Sequence, residues 1–563
     1  MACERGQHNW RGNGVLEYWG QYSISPNSVV SMDLNNMDQL PISQKVIRNT
    51  IFNAIGSFWQ ILIGLILIPY IVSHIGMERY GIWAIVGVLT GYFGLLDLGV
   101  KDSFTKYIAE FYAKEDDKSI NEVVNVGFVF YSLLALVVVA VGFFSVDPLI
   151  RLFKIPDNLH DETSFVFLLG IIVFAASNVV NVFAAIQSGL QRMDISNKVV
   201  VAISFPNAIG TVVFLQLGYG LPGLMVNSAI IMGIRGIIHI LIAFKILPTF
   251  RFNPFVFNKR IFKMLSGFGV KRWVARIEEI VTYQTDKLLI SRFLNVSLVG
   301  YYELGFSIVI RARGLLMLIT SAIVPAASEL DAKKAKEQIV RLYLRGGKYL
   351  LMVGTPAMVF LLVTALYIML AWMGTGYEKS ELVIQVLSLA VLVAFHSGMG
   401  ATVAIGIGRP DFQMKAGGGQ TILNLILSII LVVKIGFVGV MLATLISFLF
   451  STTYLLKMIH VHLKLPLAMF IRKATLKPLI VSFMLGTVIY LVNFGLGRYL
   501  PLNRFSCLGL LMFDVILFFI SYLLILLRVN FIDVKDRTLF RDILLLKIFR
   551  RQIAKQCKEK GRL

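Results

Sequence analysis

Five polar residues, Arg272, Arg276, Glu279, Tyr283 and Asp286, recur at steps of 4, 3, 4 and 3 within an otherwise apolar stretch, 264–291. Those steps place all five on one face of a helix, while Ile277, Val281 and Leu288 fall largely elsewhere. Ionisable groups are costly in hydrocarbon, so such a face must line water or pair within a helix bundle. The next apolar stretch adds Glu303, Arg311 and Arg313, and an earlier one adds Arg235. The first apolar stretch carries an uncharged stripe instead: Asn49, Asn53, Ser57 and Gln60. Two chemistries fit these groups. A cavity with excess guanidinium accepts an anionic headgroup, because arginine offers a planar pair of donors. Alternatively the charges pair internally, Arg276 with Glu279 or Arg311 with Glu303. Basic groups outnumber acidic ones in the set, which favours the first reading. Arg272, beside Lys271, can also extend its head to the membrane interface.

Other groups point to packing rather than chemistry. Asp97, in Leu95-Leu96-Asp97-Leu98-Gly99, suits a helix end or a partner for Lys101. His396 lies deep in an apolar stretch, where it either relays a proton or packs with one hydrogen bond. His460 and His462 make an isolated HxH, a poor metal signal. Gly417-Gly418-Gly419 and Gly398-Met399-Gly400 neither follow a strand nor carry GK[ST], so close helix packing is the reading. Phe104, Ile108 and Phe111, spaced among charges in 101–120, predict an amphipathic helix lying on the inner leaflet. Cys3, Cys507 and Cys557 form no disulfide or zinc pattern. No catalytic constellation is present and no cofactor or metal is implied, so the chain reads as no enzyme.

These residues belong to a chain made for lipid. Of its 563 residues 57% are hydrophobic and 15% charged, against roughly 45–50% apolar in soluble domains. A spanning helix needs about 20 mostly apolar residues. Charge-free stretches of that kind lie near 49–73, 123–146, 163–191, 199–234, 349–377, 382–408, 416–433, 435–456 and 478–497. The fourth holds two spans, with a turn at Leu217 to Gly223. Charged spans near 80–100, 264–291, 298–323 and 505–527 bring the total to about fourteen, in an all-α polytopic fold. The net charge of +22 suggests nucleic acid in a soluble protein. Here the basic residues cluster in alternate connections, which fits membrane topology and anionic lipid instead. Only Arg79, Arg151, Lys154, Arg292, Lys379, Lys434, Arg498 and Arg504 fall on the sparse side. The excess marks the cytoplasmic side and places both termini there, in a multi-pass protein of the cell (inner) membrane. Residues 1–44 read as a disordered tail, with Met32 and Met37 as candidate starts, and 529–563 as a basic tail.

The chain also repeats itself, at an offset of about 217 residues. Gly189-Leu190-Gln191-Arg192-Met193-Asp194 with Lys198 matches Gly406-Ile407-Gly408-Arg409-Pro410-Asp411 with Lys415. An offset of six spans returns the chain to the same side, so the repeats are parallel. Two six-helix lobes, 45–248 and 249–462, would face each other around a central cavity, with two extra helices in 463–528. The first and seventh spans would then be counterparts and line the same cavity. Asp194 and Asp411 are expected as helix N-caps.

The stretch from Ile68 to Val100, IPYIVSHIGMERYGIWAIVGVLTGYFGLLDLGV, resembles the start of Wzx-type polysaccharide flippases. These belong to the multidrug/oligosaccharidyl-lipid/polysaccharide exporter superfamily. Pro69, Gly76, Glu78, Tyr80, Gly81, Trp83, Asp97 and Gly99 carry the match. Asp286 to Ile290, Val299 to Tyr302, Pro325, Gly406 to Pro410 and Gly436 to Thr444 extend it, so the resemblance runs from about 45 to 525. It implies alternating access and transfer of a polyprenyl-pyrophosphate-linked oligosaccharide from the inner to the outer leaflet. Lipid-linked oligosaccharide, membrane lipids and polysaccharide polymerase or assembly proteins are the partners implied. The first span departs from relatives with cationic N-lobe cavities, having no arginine beyond Arg48. The alternative function is a drug or small-molecule antiporter of the same fold. Such proteins usually need intramembrane carboxylates, and 49–73 and 382–408 have none. A membrane-bound polymerase or ligase would need a larger outer loop than 147–163.

Overall fold

The computed structural model describes residues 42–532 and Asp536, apart from 98–99, 254–257, 321–322, 498 and 500–502. The side chains of 42–55, 101–102, 268–276, 279 and 319 also lie outside the description. Val46–Arg528 forms one compact unit. Among the described residues the chain is helical, in sixteen α-helices. They are α1 (Ile42–Phe93), α2 (Val100–Ala113), α3 (Asp117–Leu152), α4 (His160–Gly189), α5 (Met193–Gln216) and α6 (Gly220–Ile246). Next come α7 (Lys259–Phe293), α8 (Val296–Met317), α9 (Ile323–Ala332), α10 (Lys336–Trp372), α11 (Glu378–Gly406), α12 (Pro410–Ile435) and α13 (Phe437–Leu463). A short α14 (Leu467–Phe470) leads through a π-helical turn into α15 (Leu476–Leu496), and α16 (Arg504–Arg528) follows.

Eleven described helices are long and apolar enough to cross a membrane. The first is broken at Gly76, whose backbone lies at φ 76°, a region that favours glycine, so it supplies two spans. The charged α7 and α8 bring the number to fourteen. The turn expected at 217–223 is present, with Gly218 and Gly220 at φ 81° and 52°.

The packing repeats as the sequence does. In the first six spans α3 packs on α4, α4 on α6, and α5 on α6. Six spans later α10 packs on α11, α11 on α13, and α12 on α13. The repeated motif folds identically. Gln191 and Gly408 both take positive φ, and the amides of Arg192 and Arg409 donate to the carbonyls of Gln187 and Ala404, both at 2.8 Å. The expected caps are corrected by two positions. Arg192 and Arg409 occupy the N-cap sites. Asp194 and Asp411 sit in the first turn and accept from those guanidinium groups. A first-turn carboxylate still meets the positive end of the helix dipole. α15 and α16 pack on α10 and on each other.

The helix expected on the inner leaflet is also corrected. α2 ends at Ala113, and Ser103, Phe104 and Ile108 are buried against protein. Phe104 meets Gly127 of α3, Ile108 meets Gly189 of α4, and Ser103 donates to the Leu265 carbonyl of α7 at 2.7 Å. Glycines on α3 and α4 leave the space that makes this packing possible. α9 is its counterpart: Ala327 is buried against Gly406 as Ile108 is against Gly189.

One apolar core joins the lobes at the sparsely charged end. It runs from Ile68, Val72, Tyr80 and Ile85 to Val296, Val299 and Tyr302. At the basic end the first lobe has a separate core of Phe104, Ile120, Tyr131, Phe183 and Phe250, which also takes in Ile261 and Leu265. The first turns of α7 therefore pack with the first lobe, and its later turns with the second. Gly81 and Gly300 lie at a close approach between the lobes. A β-carbon at Gly81 would overlap the Val296 carbonyl, and one at Gly300 would lie 2.8 Å from the Met77 carbonyl oxygen. Gly81→Ala or Gly300→Ala should thus push the lobes apart here. A cysteine at Val299, fully buried in this state, should label faster with a thiol reagent in either variant. Gly87→Ala, which meets nothing within 4 Å, is the control. Unchanged labelling would mean that the seal does not depend on these two glycines.

Candidate substrate cavity

Arg311 stands where the lobes meet. It is half-buried on α8, and its Nη1 is out of contact with solvent and has no hydrogen-bond partner. Gly64 of α1 makes the room: a β-carbon there would sit 3.4 Å from Nη2. Ser57, Gln60 and Gly64 share one face of α1 by helical spacing, and Ser57 and Gln60 are exposed. The uncharged stripe of the first span thus continues to the point where an arginine of the eighth span arrives. Arg313, two residues on, lies over the Tyr283 ring at 5.3 Å. Asn49, Asn53, Arg272, Arg276 and Glu279 carry side chains outside the described set.

The two described acidic residues of the set, Glu303 and Asp286, are engaged elsewhere. Glu303 pairs with Lys287 at 2.5 Å, and the Lys287 ammonium also lies 4.7 Å from the Phe306 ring centre. Arg311 and Glu303, one of the ion pairs open from sequence, are not bridged. Asp286 is corrected from the cavity stripe to the interior of the second lobe. It is 1% exposed. Its Oδ2 accepts from Tyr302 at 2.9 Å and Thr444 at 2.8 Å, and its Oδ1 accepts from Ser428 at 3.4 Å. A cavity of ≈ 20 Å³ adjoins Asp286, Tyr302 and Thr444, room for about one water. The donor set is all oxygen, so it suits a proton or a hard cation, not a soft metal.

Arg235 is not brought to this cluster by any bond. It lies on α6, one turn before His239, and its Nε is buried without a partner. His239 bonds Gln187 at 2.9 Å, and Gln187 accepts from Ser196. Several weaker signals resolve as packing. His396 bonds the Leu392 carbonyl one turn back, and His460 bridges Tyr343 and the Leu465 carbonyl. Gly417 faces the Glu278 carboxyl, and Gly419 faces Phe450.

Sequence reasoning passed over Lys287, Asn424, Ser428 and Thr444 as site residues. The repeat held the signal. Asn207, Thr211 and Asn227 form a bonded set between α5 and α6. Their counterparts at an offset of 217 are Asn424, Ser428 and Thr444. There Asn424 donates to Thr444, and Asp286 joins the set. The offset maps Asp286 onto Pro69, so only the second lobe has this acid.

Comparison with known proteins gives the family and the fold. Residues 46–331 match the model of a family described as polysaccharide biosynthesis protein. The chain belongs to that family. A putative O-antigen transporter of Shigella flexneri is 21% identical over 342 residues, 59% of this chain and 78% of that protein. A probable flippase, AglR, of Haloferax volcanii is 22% identical over 401 residues, 69% and 78% of the two chains. The fold is that of the lipid II flippase MurJ in an inward closed conformation, with TM-score 0.64 and 16% identity over 85% of this chain and 99% of that one.

In this family member Lys287 is the most buried cation in an ion pair among the described residues, with side-chain exposure at 5% against 24% for Glu303. Breaking such a pair leaves one charge stranded and costs about 3–5 kcal/mol, whereas replacing both members can be neutral. Lys287→Met should sharply lower the unfolding temperature in detergent. Lys287→Met with Glu303→Leu should recover most of the loss. A double variant no better than the single one would show that the two side chains act independently.

Proposed function

We infer that this chain is a flippase for a polyprenyl-pyrophosphate-linked oligosaccharide, carrying its headgroup from the cytoplasmic to the outer leaflet by alternating access. The observation that carries the reading is Arg311. Its guanidinium is held between the lobes, with Nη1 unbonded, opposite the exposed polar face of α1. A pyrophosphate leaving water must regain donors or it cannot enter the bilayer. Arg311, Arg313 and Arg276 supply them, and Ser57 and Gln60 with Asn49 and Asn53 offer neutral partners from the other lobe. Arg235 extends the positive lining into the first lobe. The polyprenyl chain stays in lipid between the lobes while the headgroup crosses.

The relatives named as an O-antigen transporter and a flippase support this substrate class. So does the engagement of the carboxylates. A drug antiporter of the same fold would present an acid to a cationic drug, but Asp286 is bonded to three hydroxyls and Glu303 to Lys287. The two lobes meet at the sparsely charged end and have separate cores at the basic end, which suits loading from the cytoplasm. Lipid-linked oligosaccharide and membrane lipids are the partners, with polymerase or assembly proteins receiving the product.

Two measurements test this. Arg311→Ala and Arg276→Ala should lose most transport at equal expression, about tenfold or more, as for loss of a charge-assisted hydrogen bond. The Lys variants should keep part of it, because lysine keeps the charge and loses the two-pronged geometry. The readout is lipid-linked oligosaccharide left on the inner leaflet. Normal surface glycan with Arg276, Arg311 and Arg313 all changed to Ala would defeat the reading. For orientation, cysteines placed at Asn158 and Gln338 should label oppositely with an impermeant thiol reagent on intact cells. Equal labelling, with lysed cells as control, would reverse or scramble the topology.

A further inference from the structure

A second recess lies in the first lobe, near its basic end, between α2, α3 and α4. Its volume is ≈ 200 Å³, about the space of seven waters at ~30 Å³ each. That is room for one sugar ring. Asn178, Asn181 and Ser188 reach it from one face of α4, Thr105 from α2, and the rings of Phe104 and Tyr131 close it. Among the described residues that line it, none is charged.

The polar groups are unspent. Asn178 gives its amide hydrogen to the Phe174 carbonyl at 3.1 Å and keeps Oδ1 as an acceptor. The side chains of Asn181, Ser188 and Thr105 hydrogen-bond no other described residue. The two rings sit 6.0 Å apart and tilted by 40°. A phosphate would find no cation among the described lining residues. A lipid tail would strand two amides and two hydroxyls. A sugar ring matches both halves: each hydroxyl gives one donor and two acceptors, and its C–H face is apolar enough to lie on an aromatic wall.

We propose that this recess is a glycan subsite that takes one neutral sugar unit of the headgroup while the pyrophosphate meets the arginines. This rests on the flippase reading and deepens it. Two separate places would then recognise two ends of one substrate: Arg311 on α8 for the phosphates, and Asn181 with Ser188 on α4 for a sugar. Glycan preference would lie in the first lobe and the charge requirement in the second.

The test uses the purified full-length protein in detergent and two probes. The first is a panel of free sugars (glucose, galactose, rhamnose and N-acetylglucosamine), observed by saturation-transfer NMR with glycerol as reference. The second is sugar-free geranylgeranyl pyrophosphate, measured by equilibrium binding. At least one sugar should give transfer well above glycerol. Asn181→Leu should cut that signal about fivefold, the loss of about one good hydrogen bond, and leave pyrophosphate binding unchanged. Arg311→Ala should do the reverse. Thr105→Val, which keeps the side chain's shape, should weaken sugar binding in the same sense and serves if Asn181→Leu fails to fold. No sugar signal above glycerol, or one indifferent to both recess variants while Arg311-dependent pyrophosphate binding persists, overturns the subsite and leaves the flippase reading standing. Pyrophosphate binding that is absent or insensitive to Arg311→Ala overturns that reading, and the subsite with it.

Discussion

Hydrocarbon offers no hydrogen bonds, so every polar group carried into the membrane must find its partner inside the protein. The backbone meets this demand by being helical along the described chain. Side chains meet it in local sets. Asn207, Thr211 and Asn227 satisfy one another between α5 and α6. Asn424, Ser428, Thr444, Tyr302 and Asp286 do so between α7, α8, α12 and α13. Asn493 and Asp514 pair at 2.7 Å between the last two helices. Each set pins helices that greasy packing alone would leave free to slide.

The same rule identifies the working parts by exception. Once Lys287 has Glu303 and Asp286 has its hydroxyls, Nη1 of Arg311 and Nε of Arg235 are among the buried polar atoms left without a partner, beside hydroxyls such as those of Thr163 and Ser388. An unsatisfied guanidinium where two lobes meet is unfavourable alone and favourable with an anion. On the proposed function, the cost of leaving it open would return as affinity for a phosphate. Glycine supports this arrangement from the other side. Gly64 makes room for the arginine, and Gly81 and Gly300 allow the lobes to touch. A transporter needs such contacts to be close and few, so that two arrangements of the lobes differ by little energy.

The duplication explains why the lobes can rock and why they are not equivalent. Both halves use one turn geometry at Arg192 and Arg409, one small-residue seat for the short helices α2 and α9, and one helix packing order. Most of the charged additions fall on α7 and α8, with Arg235 on α6. Symmetric scaffolding with asymmetric chemistry is what a carrier requires when its substrate has an anionic end and a neutral end.

Much of this was legible in the sequence, because it depends on local quantities. Apolar length set the spans, basic connections set their alternation, and a repeated GxxRxD set the parallel lobes. Even the reach of the polar stripe on α1 follows from spacing alone. Three things were decided only in three dimensions. Spacing showed that Asp286 shares a face with Arg276; it could not show that α8, α12 and α13 close over the end of that face. Amphipathicity showed that α2 has an apolar side; it could not say whether lipid or glycines at 127 and 189 would receive it. Charge counting offered Glu303 to Arg311; packing gave it to Lys287. In each case a helix's own sequence determines which residues share a side, while the partner of that side comes from residues a hundred or more positions away, and only the packed bundle brings them within bonding distance.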